Sequence, residues 1–106
     1  QRAKTKAFLT AYSRGAADFN AALVDKTAGA EAAEDMIKLI HKYVYASRPY
    51  EKARGSILNG AMRINADAAL NASSVQEQLD WFQAEKLVKD SITLETLVDK
   101  SYVKIR

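Results

Sequence analysis

The sequence predicts an all-α chain of about four to five helices, and three observations carry that expectation. Helix breakers are scarce, with 4 Gly and 1 Pro in 106 residues, while Ala is abundant. Apolar residues recur at helical spacing along most of the chain. No β-branched run long enough for a core strand occurs. The length suits one unit, residues 1–106, and 48% hydrophobic residues is ordinary for a globular protein.

The first helix is expected from about Ala3 to Val24. Phe8, Tyr12, Gly15 or Ala16, Phe19 and Leu23 form its apolar stripe. Gly15 sits mid-helix, where it costs about 1 kcal/mol relative to Ala. Its expected purpose is close approach of another backbone. Asp25 to Gly29 breaks the pattern. A second helix is expected from about Glu31 to Tyr45, with Ala33, Met36, Ile37, Ile40 and Val44 facing inward. Acids near its start and Lys38, His41 and Lys42 near its end complement the helix dipole. Pro49 is placed to begin a short helix through Tyr50, Glu51 and Lys52. From Gly55 to Asn71 we expect a partly extended excursion, with a short helix near Ile57. Any ligand contact would fall in Tyr50–Arg63, where irregular backbone can line a cleft.

Two amphipathic helices close the chain. Ser73 or Ser74 can start the first as a capping box with Gln76 or Glu77. Val75, Leu79 and Phe82 form its inner face, and Trp81 turns outward to an edge or a neighbouring lobe. Thr93 is the expected cap of the second, whose stripe is Leu94, Leu97, Val98, Tyr102 and Ile105.

No residue set predicts catalysis, a cofactor or a metal site. His41 is the only histidine, and Ile37 and Tyr45 occupy the positions where helical metal partners would stand. A structural or dipole role fits it. No serine lies in a nucleophile elbow, and no glycine pattern forms a phosphate loop. Tyr43, Tyr45 and Tyr50 with Arg48 and Arg54 admit two readings: an anion or ring site, or tyrosines at a helix end with arginines in solvent. Zero cysteines exclude thiolate chemistry, and a net charge of +3 with interspersed signs gives a solvated surface rather than a nucleic-acid stripe. No apolar run reaches the roughly 20 residues of a membrane span.

The closing words, Asn71-Ala-Ser-Ser-Val-Gln-Glu-Gln-Leu-Asp-Trp-Phe82, then Leu87-Val88, then Leu97-Val98-Asp99-Lys100-Ser101-Tyr102, resemble a known family's C-terminus. That family is the periplasmic substrate-binding proteins of nitrate, sulfonate, taurine and thiamine-precursor ABC transporters. Ala7 to Gly15 is similar to its helix after the second interdomain crossover. Lys86 stands where the family usually has a left-handed Gly, and Asn65-Ala-Asp67-Ala-Ala replaces its Asp-Pro-x-Gly turn. The resemblance implies a parent with two α/β lobes in a type II periplasmic-binding fold, a small-molecule solute in the cleft, and an ABC permease as partner. The parent would be periplasmic, or lipid-anchored and extracytoplasmic. This chain would be its helical C-terminal segment, acting as scaffold, with ligand-binding residues unassigned. Separated from its lobes, such a segment is expected to self-associate. The alternative is an autonomous helical interaction or regulatory module.

Overall fold

The chain is all-helical, as its composition dictates, and a computed structural model describes residues 1–106 throughout. Helix α1 spans Arg2–Phe19 and continues as a π-helical turn, Asn20–Val24. The Asp25 N–H donates to the Asn20 carbonyl five residues back, at 2.7 Å, which widens the last turn by one residue. Asn20, Ala22 and Leu23 are all buried there. Lys26 (φ +56°) and Gly29 (φ +93°) then reverse the chain. Gly29 caps α2 in a conformation that a Cβ would strain.

Helix α2 (Ala30–Val44) and helix α3 (Tyr50–Asn59) pack against the end of α1. Pro49 precedes α3 as its N-cap, with φ −56° suited to the entry. The core is Ala22, Leu23, Ile37, Ala53 and Ile57, edged by Phe19, Met36, Ile40 and Tyr50. Residues 61–65 form neither helix nor strand, and a 3₁₀ turn, Ala66–Ala68, follows. Asp67 and Ala68 both take left-handed φ in this turn, near +55° and +54°.

Helix α4 (Ala72–Ala84) and the single-turn helix α5 (Leu94–Leu97) form the distal arm. The tail returns toward the 3₁₀ turn: Leu70 N–H donates to Lys104 O, and Arg106 N–H to Leu70 O, both at 2.9 Å. It also reaches α1, where the Arg2 guanidinium lies 4.4 Å from the Tyr102 ring centre.

Five expectations are corrected. Helix α3 is a full 10 residues, so the short helix expected near Ile57 is continuous with the one that follows Pro49. Its missing breakers explain this, since Gly55 alone does not outweigh burial of Ala53 and Ile57. Gly15 has no close neighbour: nothing lies within 4 Å of where its Cβ would be. It sits on a side of α1 that no other element covers. Asn71, not Ser73 or Ser74, caps α4, its side-chain oxygen accepting from Ser74 N–H at 3.3 Å and from the Ser73 hydroxyl at 2.7 Å. Phe82 and Val44 are exposed, because little of the chain reaches those ends of α4 and α2.

The fifth correction is the last helix, which stops after Leu97. The Asp99 carboxylate accepts the Ser101 N–H at 2.9 Å and its hydroxyl at 2.5 Å, a local turn that competes with helix. Residues 104 and 106 pair instead with Leu70. Lys86, by contrast, takes the left-handed conformation at φ +61° that the resemblance implied for that place. Leu87 N–H donates to Phe82 O (2.9 Å) and Lys86 N–H to Gln83 O (3.0 Å), the paired bonds of a Schellman C-terminus.

Only 9 of 106 residues are buried, so the internal core is small. The radius of gyration is 17.5 Å, against about 13 Å for a compact domain of this length. Exposed area is 7809 Å², roughly 1,900 Å² above the approximately 5,900 Å² of a compact monomer of this mass.

Candidate functional site

The polar side chains gather in three places. The first joins α2 to α3. Glu34 accepts from Tyr50 Oη at 2.8 Å and from Arg54 Nε at 3.0 Å, and Arg54 Nη2 closes a second bond to the same carboxylate. These bonds, that of Arg54 first and Tyr50 second, hold the Glu34 carboxyl below its ordinary pKa of 4.5. The same bond to Glu34 raises the Tyr50 phenol. The tyrosine–arginine cluster is therefore not an open anion site, because a carboxylate of the chain occupies Tyr50 and Arg54. Tyr43 stands apart in solvent, and Arg48 lies over Tyr45 at 5.6 Å. His41 Nε2 donates to the Arg48 carbonyl at 2.8 Å, and its ring meets Tyr50 edge-on. It locks the turn between α2 and α3, which is a structural role.

The second place is the wide turn after α1. The Asn20 side chain donates to Ile64 O at 2.7 Å and accepts from Ile64 N–H at 2.9 Å. A buried amide thus satisfies both backbone polar groups of Ile64, which lies outside any helix or strand. Arg63 pairs with Asp25 beside it, an ion pair that raises the arginine pKa.

The third is a groove of about 540 Å³ between α1 and the returning tail. Lys6, Thr10 and Arg14 form one ridge of α1, spaced four residues apart. Leu9, Ser13 and Ala17 form the row beside it, and Tyr102, Val103 and Asp67 line the facing wall. Asp67 is engaged by Lys104 Nζ at 3.1 Å. The five ion pairs of the chain include neither Lys6 nor Arg14. The groove is open, with two unpaired cations along one edge and apolar surface between.

This groove lies outside Tyr50–Arg63, the stretch where sequence placed a ligand contact. That stretch lines smaller hollows: one of about 250 Å³ at Leu58 and one of about 190 Å³ at Ser56 to Ala61. The groove was not legible because its walls are some ninety positions apart in the chain. The only available signal was the Lys6-Thr10-Arg14 spacing, which reads equally as a solvated helix face. Trp81 and Phe82 meet edge-on at 5.2 Å and are both exposed, forming an apolar corner rather than core. No family model, no curated protein and no solved structure matches the chain. No helix is long and apolar enough to cross a membrane.

Proposed function

We propose that this chain is a helical scaffold segment of a solute-binding protein that serves an ABC importer, and has no catalytic role of its own. One observation carries the scaffold reading: about 1,900 Å² more surface than a compact monomer of this mass exposes. That excess matches what one side of a permanent interface buries. It includes Phe8, Trp81 and Leu87, each more than half exposed. Such faces need a covering body. The resemblance of the closing run from Asn71 to Tyr102 supports the two α/β lobes of a parent as that body, which would hold the small-molecule solute outside the cytoplasm.

The second reading, an autonomous interaction module, draws on a different observation. The five-residue core and the Glu34–Arg54 pair form entirely within α1 to α3. Multi-angle light scattering with thermal melting separates the two. The scaffold reading expects a dimer or larger species with a broad melt, since the isolated faces pair with each other. A monomer with a sharp cooperative melt overturns it and favours the module. The complete reading frame gives an independent check: a frame without two α/β lobes removes the transporter assignment. In this chain Gly15→Leu is expected to raise the helicity of α1, since Gly is the poorer helix former and nothing lies within 4 Å of its Cβ position.

A further inference from the structure

The groove between α1 and the tail carries a ligand chemistry of its own. Its volume of about 540 Å³ falls within the roughly 300–1,000 Å³ of small-molecule sites. Two cations stand apart along one line of it. Lys6 and Arg14 are eight residues apart on α1, so their Cα atoms stand about 12 Å apart. No carboxylate of the chain pairs with either. The single acid on the facing wall, Asp67, is matched by Lys104.

Between the two cations the surface changes character. Thr10 Oγ1 donates to the Lys6 carbonyl at 3.0 Å, so its proton is committed to the helix. Ser13 is half-buried and, with Tyr102, brings a further hydroxyl to the groove lining. Leu9, Ala17 and Val103 give an apolar strip alongside. Two separated positive poles joined by an apolar strip suit a ligand with two separated negative groups and an aliphatic spacer.

We propose that this groove binds a small aliphatic dicarboxylate, one carboxylate at Lys6, the other at Arg14, with the spacer against Leu9 and Val103. A monocarboxylate leaves one cation unanswered. Inorganic phosphate spans neither the distance nor the apolar strip. Arginine favours the carboxylate further, because its planar fork can hold both oxygens. The site is independent of the scaffold reading, since every wall belongs to this chain.

The test is titration of the whole chain by calorimetry and amide NMR, at low and fixed ionic strength. The probes are glutarate, adipate and suberate, with hexanoate and inorganic phosphate as controls. Saturable 1:1 binding is expected for a dicarboxylate of one preferred length, with amide shifts at Ser13, Tyr102 and Val103. Hexanoate and phosphate should bind about tenfold more weakly or worse. Lys6→Gln and Arg14→Gln should each weaken binding by about tenfold. Both side chains are exposed, so circular dichroism should stay unchanged in these variants. Asp67→Asn should tighten binding a few-fold by removing the only facing negative charge. No saturation by about 10 mM ligand, equal binding of hexanoate, or insensitivity to both cation substitutions overturns the proposal.

Discussion

The body formed by α1 to α3 and the arm formed by α4, α5 and the tail reach order by different routes. In the body, residues far apart in sequence meet: Ile37 of α2 lies against Ala53 and Ile57 of α3 and Leu23 of the wide turn. Glu34 and Arg54, twenty positions apart, are tied across the same seam. In the arm, most polar links are local. Gln76 donates to Asp80, Gln83 to the carbonyls of Lys89 and Ile92, and Lys100 pairs with Glu95. Only Ala72 and Leu79 are buried there. Local bonds shape a chain segment, whereas distant apolar contacts make its folding cooperative.

The largest expected effect breaks the body alone. Ile37 is 1% exposed, and Ile37→Ala should cost about 2–5 kcal/mol by loss of transfer energy and the cavity left behind. Urea denaturation should lose its cooperative transition. Leu79→Ala removes a residue of similar burial, but its effect should stay within the arm. Hydrogen exchange would then accelerate in α4 while α2 and α3 keep their protection. Exchange that rises equally in both regions would show that body and arm are one cooperative unit.

An intermediate effect is expected at the two ends of α4. Asn71→Ala should lower arm stability by about 1 kcal/mol, with Ser73→Ala and Ser74→Ala closer to neutral. At the other end, Lys86 holds φ +61° with a Cβ, so Lys86→Gly should stabilise by about 1 kcal/mol. Helicity against temperature measures both. Neither substitution should move protection in the body.

The smallest effect concerns pH. Glu34, Glu95 and Asp99 all have lowered carboxyl pKa values, but the causes differ. Glu34 owes its shift chiefly to Arg54 and then Tyr50, across two helices. Glu95 owes its own chiefly to its own backbone N–H, and Asp99 to the Ser101 hydroxyl. Partners so near in sequence can persist in the unfolded chain, which weakens their linkage to folding. Glu34 is the case with a distant partner. Its folded pKa lies below 4.5, so its contribution is complete above that value and is lost as pH falls through the folded one. Acid titration should therefore loosen the α2–α3 seam, and Glu34→Gln should flatten that part of the profile. An unchanged acid limb in Glu34→Gln would assign the loss to other carboxylates.

Much of the body was legible. The α2 stripe predicted Ile37, and the break from Asp25 to Gly29 appeared where expected, because breakers and apolar period act over a few residues. Less of the arm was. The pattern Leu94, Leu97, Val98, Tyr102, Ile105 has helical spacing, yet the Asp99–Ser101 turn and the pairing of Leu70 with the tail take those residues. Periodicity cannot weigh a helix against a partner thirty-five positions away. Asn20 was likewise unread, since its bonds to Ile64 require the wide turn that aims it inward.

By itself the sequence determined an all-helical chain and the main breaks between its helices, because these follow from local propensity and backbone sterics. Only the tertiary structure decided which apolar faces are covered and which stay open. It also brought Lys6 and Arg14 to face Tyr102 and Val103. Burial and grooves depend on where distant segments come to rest, and the spacing of residues along one helix does not encode that position.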